Sequence, residues 1–186
     1  MLLTAIAERA EMRGWISVNV TDRDGMLSEI IVQLRQKASH ILAPETNSWL
    51  SEIHVHGVGF TRTREEVPST WRADMTKAVS ELNEKDAGLL ITVDEASAQS
   101  DELPVLIDSF QHFVRERRDV ALLLAGLPHN VSTLIDVDAI SFLRRAFKHT
   151  MDQISATDTS YAIKETVEGA GRGIAAPALK VAADAS

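Results

Sequence analysis

The sequence contains no cysteine, and that absence limits the chemistry open to the protein. It excludes a disulfide framework, a thiolate metal site and redox reactions at sulfur, and it fits a reducing compartment. Long apolar runs are also missing: none approaches the roughly 20 residues that span a membrane, and the N-terminus lacks the basic region and long apolar core of a signal peptide. We therefore expect a cytoplasmic location and no membrane partner.

The sequence has fewer basic than acidic residues. The 186 residues carry 19 Lys and Arg against 27 Asp and Glu, which gives a formal net charge of −8. An acidic chain of this kind argues against a broad electropositive surface, so no direct nucleic-acid partner is expected. The hydrophobic content of 45% is ample for the core of one domain, or of one domain and part of a second.

The chain also lacks the Gly-x-x-x-x-Gly-Lys-Ser/Thr loop, in which backbone N–H groups and a lysine hold nucleotide phosphates. The motif that usually accompanies that loop is nevertheless present. Leu89 to Val93 suit a buried strand, and Asp94 and Glu95 follow where the strand should leave its sheet. This is the form of a Walker B motif, in which Asp94 would hold Mg²⁺ through its water shell and Glu95 would polarise the water that attacks the γ-phosphate of ATP. The alternative interpretation is a solvated strand end.

Hydrophobic periodicity predicts helices and strands that alternate along the chain. The predicted helices cover residues 2–10, 27–38, 68–85, 102–118, 155–170 and 174–183, with two short helical segments at 131–135 and 139–145. The predicted strands cover residues 15–20, 89–93 and 120–125, with a hairpin over 49–63 and a polar strand candidate at 147–151. This alternation favours a mainly parallel α/β sheet.

Several blocks of the sequence resemble a bacterial AAA-type P-loop ATPase family that is related to origin-recognition and STAND ATPases. Residues 2–15 are similar to the helix after the phosphate loop and the entry to the next strand, and residues 88–95 are similar to Walker B. Residues 121–128, Ala-Leu-Leu-Leu-Ala-Gly-Leu-Pro, resemble the sensor-one strand and its exit. Residues 142–146, Phe-Leu-Arg-Arg-Ala, resemble the segment in which such proteins place an arginine finger.

The resemblance implies a three-layer P-loop NTPase-like sandwich with a mainly parallel sheet in residues 1–152, incomplete at its N-terminus, and the start of a helical lid in residues 153–186. It implies Asp94 as the metal ligand and Glu95 as a catalytic residue, together with Arg144 and Arg145 in the arginine-finger segment. The two arginines have an alternative interpretation as a solvated basic face. ATP and Mg²⁺ are the implied cofactors of an extended chain, and none is expected for these residues alone.

This sequence differs from the family in ways that affect the function we expect. In the family the phosphate loop directly precedes the helix that starts here at Met1, and Ala125 stands where related ATPases often carry a polar sensor side chain. The strand before that loop lies beside the sensor-one strand in the resembled fold, so residues 120–125 should lack a neighbour on one side.

Two functions remain open. The first is the ATP-binding or ATPase core of an AAA-type regulatory or motor protein, in a truncated form not expected to bind ATP alone. The second is a non-catalytic interaction module on a degenerate ATPase scaffold. A homo-oligomer or a protein partner is compatible with both.

Overall fold

The computed structural model describes residues 2–44, 46, 66–136, 138–151 and 154–185. The chain forms two compact units, Met1–Ala146 and Phe147–Ser186. The predicted hairpin over residues 49–63 lies outside the described residues. Among the helices that are described, none has both the length and the apolar character needed to cross a bilayer.

The first unit is built on three parallel strands, β1 (Ile16–Thr21), β2 (Leu89–Asp94) and β3 (Val120–Leu124). β2 lies in the centre, so the order across the sheet is β1-β2-β3. The register places Thr21 beside Asp94. The predicted α/β fold with a parallel sheet is confirmed.

Helices precede, connect and follow these strands. They are α1 (Leu2–Glu11), α2 (Met26–Ala38), α3 (Glu66–Glu84), α4 (Leu103–Arg115), α5 (Pro128–Asp136) and a 3₁₀ helix (Asp138–Arg145). The predicted helices are confirmed with changes at their ends. For example, α4 ends before the predicted Arg118, because Arg117 has a left-handed backbone conformation with φ of 57° that cannot continue a helix.

The two faces of the sheet differ because alternate residues of a strand point to opposite sides. Val18, Ile91 and Leu122 lie side by side on one face and pack with residues of α2, α3 and α4 in the main hydrophobic core. Leu90 and Ala121 lie on the other face, where a groove of about 530 Å³ remains between α1 and the sheet. One face of the sheet is therefore covered by α2, α3 and α4 and the other partly by α1, and the residues of β3 are only half-buried.

The two outer edges of the sheet also differ. The side-chain amide of Gln33 in α2 accepts a hydrogen bond from the Asn19 N–H at 3.0 Å and donates one to the Asn19 carbonyl at 2.7 Å, as a neighbouring strand would. This contact closes the middle of the β1 edge. The outer edge of β3 has no neighbouring strand among the described residues.

The second unit contains α6 (Ala156–Gly169) and α7 (Ala176–Asp184), which pack against each other. Ser155 caps α6, because its hydroxyl accepts a hydrogen bond from the Asp158 N–H at 3.1 Å. The strand predicted over residues 147–151 is wrong: these residues have no regular secondary structure, and Phe147 is 94% exposed. A strand needs a neighbour for its backbone groups, and α6 and α7 do not supply one.

Candidate functional site

The acidic pair lies where the central strand leaves the sheet. Asp94 is the last residue of β2, Glu95 follows it, and both residues are exposed. The Oδ1 atom of Asp94 accepts a hydrogen bond from the Glu95 N–H at 2.9 Å. In open α/β sheets, ligands bind outside the carboxyl ends of the strands. The structure thus brings both carboxylates to the edge at which a ligand would be expected.

Glu95 has an unusual backbone conformation, with φ of 58°. The left-handed region costs a residue with a Cβ about 1 kcal/mol or more, and strain of this kind concentrates at functional sites. Asp86 and Arg117 also have positive φ, but they follow the ends of α3 and α4, where a left-handed residue is a common way to end a helix. Glu95 follows a strand, so helix termination does not explain its conformation.

Asp22 is tied to the same edge of the sheet. Its N–H donates to the Asp94 carbonyl at 2.9 Å, and its Oδ2 atom accepts a hydrogen bond from the Ser97 N–H at 2.9 Å. The other carboxylate oxygen, Oδ1, is buried and has no hydrogen-bond partner among the described residues. Asp22 therefore joins the loop after β1 to the end of β2 and fixes the loop that follows β2.

Glu102 fixes the other end of that loop. Its carboxylate accepts hydrogen bonds from the backbone N–H groups of Gly25 and Leu27, at 2.9 and 2.8 Å, at the start of α2. A helix N-terminus can hold a phosphate with the same groups. Because a protein carboxylate already occupies the N-terminus of α2, that helix end is not a free phosphate site.

The segment after β3 packs closely on the loop after β2. The Ala125 N–H donates to the Val93 carbonyl and the Ala96 N–H donates to the Ala125 carbonyl, both at 2.8 Å. A Cβ atom on Gly126 would lie 2.7 Å from the Ala96 carbonyl oxygen, so this position requires glycine. Ala125 presents only a methyl group, which cannot sense a phosphate through a hydrogen bond.

Negative charge dominates this edge of the sheet. The last residue of β2 and the loops after β1 and β2 contribute the carboxylates of Asp22, Asp24, Asp94, Glu95, Asp101 and Glu102. Arg23 is the basic residue of these loops, and it pairs with Glu29 at 2.9 Å. The edge therefore attracts cations and repels polyanions.

The carboxylates at this edge of the sheet are suited to bind Mg²⁺ but not the phosphates of ATP. Mg²⁺ prefers oxygen ligands, keeps several waters and is often bound through one or two carboxylates, as Asp94 could provide. In the described part of the chain, no three carboxylate or imidazole side chains gather in a way that would hold a metal through protein ligands alone. A triphosphate needs a lysine and a row of free N–H groups, and the two loops offer neither.

The two candidate finger arginines lie in the 3₁₀ helix, which packs against α5 and α4. Both arginines are exposed, and the Nε atom of Arg144 lies 3.4 Å from the Ile135 carbonyl at the end of α5. Within the described residues, the hydrogen bonds and ion pairs of Asp94 and Glu95 do not involve Arg144 or Arg145. The structure thus keeps the acidic pair and the arginines on separate elements.

Sequence reasoning missed Asp22 and Glu102. Asp22 directly follows the predicted first strand, and the carboxyl ends of neighbouring parallel strands meet at one edge, so its position was a usable signal. Glu102 stands at the N-cap of α4, where its contact with α2 depends on how the two loops meet in space. The sequence contains no local signal for that contact.

We compared the chain with models of protein families, with curated proteins and with solved structures, and none of the three comparisons finds a match.

Proposed function

We propose that these residues form the Walker B part of a P-loop ATPase core, in which a phosphate loop ahead of α1 completes the nucleotide site. Asp94 would hold hydrated Mg²⁺, and Glu95 would orient the water that attacks the γ-phosphate. Arg144 or Arg145 would stabilise the charge on a nucleotide held by a neighbouring subunit, as an arginine finger does.

One observation carries the proposal: an acidic pair, exposed and with a left-handed second residue, ends the central strand of a parallel sheet. The apolar strand holds the pair in place, since the residues from Leu89 to Val93 are all buried. The likeness of the flanking blocks to the ATPase family supports the same interpretation.

The test uses a chain extended by the residues encoded in frame before Met1. We expect that segment to contain the Gly-x-x-x-x-Gly-Lys-Ser/Thr loop, and the extended chain to hydrolyse ATP in the presence of Mg²⁺. Glu95→Gln should leave ATP affinity nearly unchanged and lower turnover about 100-fold or more, because the carboxylate acts on the water and not on the bound nucleotide. Asp24→Asn, an exposed acidic residue at the same edge, should have normal turnover. Equal turnover in the two variants would remove Glu95 from the mechanism.

A second function is favoured by a different observation: among the described residues the outer edge of β3 has no neighbouring strand, and a groove lined mainly by apolar side chains lies between α1 and the sheet. An interaction module needs such a surface and does not need a phosphate loop. An upstream segment without the loop, together with normal folding of the chain, would favour this second function over the first.

A further inference from the structure

The backbone at Glu95 is held by hydrogen bonds on both sides. Before it, the Asp94 carbonyl accepts a hydrogen bond from the Asp22 N–H, and the Glu95 N–H donates to Asp94 Oδ1, both at 2.9 Å. After it, the Ala96 N–H donates to the Ala125 carbonyl at 2.8 Å. The φ and ψ angles of Glu95 lie between these two peptide groups. The contacts of both groups therefore fix the left-handed conformation, with its φ of 58°.

Asp22 contacts this segment at two points. Its N–H bonds the Asp94 carbonyl, which lies just before Glu95. Its side chain reaches beyond Glu95, where Oδ2 accepts a hydrogen bond from the Ser97 N–H at 2.9 Å. A hydrogen bond to an ionised carboxylate is stronger than one to a neutral acceptor. Asp22 thus spans the left-handed residue, with its main chain on one side and its side chain on the other.

The conformation of Glu95 needs such support. The left-handed region is unfavourable for a residue with a Cβ, and a strained conformation persists only where the surrounding structure holds it. A hydrogen bond to a charged group contributes an amount of the same order as this strain. Loss of the bond between Asp22 and Ser97 would therefore be sufficient to let the backbone of Glu95 relax.

We propose that the Asp22 side chain is a positioning residue, which keeps the backbone of Glu95 left-handed and so fixes the place of the Glu95 carboxylate at the edge of the sheet. The alternative is a structural link between two loops without effect on Glu95. Glu102 is such a link at the far end of the same loop, since its carboxylate bonds the Gly25 and Leu27 N–H groups at the start of α2. The two carboxylates can therefore be compared.

The consequence for catalysis rests on the proposed function. A glutamate that orients a water has to be held in place, because a displacement of about 1 Å can lower a rate about 100-fold. In this scheme Asp22 contacts neither the water nor the nucleotide and acts only through Glu95. Its loss should therefore lower turnover and leave the KM for ATP nearly unchanged.

Nuclear magnetic resonance of the 186-residue chain tests the positioning, since scalar couplings report the φ angle of Glu95. We expect a positive φ in the wild type and a shift toward negative φ in Asp22→Ala. Asp22→Asn keeps a side-chain oxygen that can accept from the Ser97 N–H, so its couplings should match the wild type. Glu102→Ala should lower stability and leave these couplings unchanged. Wild-type couplings in Asp22→Ala would overturn the proposal.

The contact itself can be tested without a variant. The Ser97 N–H, which bonds Asp22, should exchange its hydrogen with solvent at least about tenfold more slowly than in an unstructured chain. Exchange at the unstructured rate would overturn the proposal, whether or not Asp22→Ala folds.

Urea denaturation gives an independent comparison. Asp22→Ala should lower the urea midpoint more in a Glu95→Gly background than in the wild-type background. Relaxation of the backbone offsets part of the loss only where residue 95 has a Cβ, because glycine is not strained in the left-handed region. Equal shifts of the midpoint in the two backgrounds would show that Asp22 and the conformation of Glu95 are independent.

Turnover is measured in the chain extended ahead of Met1. Asp22→Ala should lower kcat about tenfold and change the KM for ATP by less than about twofold, and Asp22→Asn should recover most of the turnover. Asp24→Ala, at an exposed position of the same loop, should have normal turnover. An extended wild-type chain that hydrolyses no ATP would contradict the proposed function, and the couplings of Glu95 would still decide the positioning. Normal turnover of Asp22→Ala, in a chain that does hydrolyse ATP, would overturn the positioning role alone.

Discussion

Glu102 and Leu27 are 75 residues apart in the sequence, yet the Oε2 atom of Glu102 accepts a hydrogen bond from the Leu27 N–H at 2.8 Å. Its Oε1 atom accepts another from the Gly25 N–H at 2.9 Å. The first N–H groups of a helix have no partner within the helix and lie at the positive end of its dipole. One carboxylate therefore caps α2 and joins the loop after β1 to the loop after β2.

We expect Glu102→Ala to lower the free energy of unfolding by about 1–2 kcal/mol, the usual effect of losing a helix cap. Glu102→Gln should lose less, because its amide oxygen can still accept one of the two hydrogen bonds. Urea denaturation measures both variants. Asp24→Ala, at an exposed position of the neighbouring loop, should change stability by less than about 0.5 kcal/mol. Equal losses in Glu102→Ala and Asp24→Ala would show that the cap does not stabilise the fold.

Glu95→Gly should stabilise the protein. The left-handed backbone at φ of 58° is strained for glutamate and free of strain for glycine, so relief of about 1 kcal/mol is expected despite the greater freedom of glycine in the unfolded chain. Glu95→Val should destabilise, because a β-branched side chain tolerates this conformation poorly. Thermal unfolding of the two variants and of the wild type measures these differences in stability. A glycine variant less stable than wild type would show that the conformation of Glu95 stores no strain.

Gly88 should not accept a side chain. A Cβ atom at this position would lie 2.4 Å from two atoms of the Trp15 ring. Gly88 directly precedes β2, and Trp15 directly precedes β1. We expect Gly88→Ala to destabilise by about 1–3 kcal/mol, as overpacking usually does. Gly173→Ala is the control, since a Cβ there meets nothing within 4 Å and its φ is not positive. If both variants unfold at the same urea concentration, the Trp15 ring can move aside without a loss of stability, and the prediction is wrong.

Stability should depend on pH through Glu11. A hydrogen bond from the Ser17 hydroxyl, and then one from Lys37 at 3.0 Å, lower the pKa of Glu11 below its usual 4.5. A carboxyl group whose pKa is lower in the folded state stabilises the fold above its unfolded pKa, and this contribution disappears as the pH falls through the folded pKa.

The variant Glu11→Gln should accordingly be less stable than wild type at pH 7, by at most about 1 kcal/mol because the ion pair is exposed. The difference should shrink as the pH is lowered below 4.5 and should vanish once the pH is below the lowered pKa of folded Glu11. Urea denaturation of both proteins at several pH values measures this difference in stability. Glu8→Gln, at an exposed position of α1, is the control for the loss of one negative charge. A difference that is constant with pH would contradict the assignment.

The strands and most helices could be predicted because their signals are local. The continuous apolar run in β2 indicated a strand buried on both faces, and β2 is that strand. The buried face of α4 is harder to predict: Phe113 is buried, whereas the neighbouring Val114 is 42% exposed. Both residues are apolar, so periodicity could not choose between them.

The parts of the site that sequence reasoning missed depend on distant contacts. The amide of Gln33 replaces a strand at the edge of β1, and the carboxylate of Glu102 occupies the N-terminus of α2. Gln33 is an ordinary polar residue within α2 and Glu102 is the N-cap of α4, and nothing in the neighbouring sequence marks either contact. Such contacts follow from how helices cross the sheet, which a pattern of apolar spacing does not specify.

The 186 residues alone should not bind Mg-ATP at micromolar concentrations. Most of the phosphate affinity in P-loop proteins comes from backbone N–H groups and a lysine in the loop, and this sequence lacks that loop. The carboxyl edge of the sheet cannot replace it, because acidic side chains surround Asp94 and Glu102 already caps α2. A magnesium ion at Asp94 would bridge only weakly to a nucleotide that nothing else holds. Titration calorimetry should give no resolvable heat, whereas a Kd near 10 μM, about −7 kcal/mol, would reveal a phosphate site elsewhere in the chain.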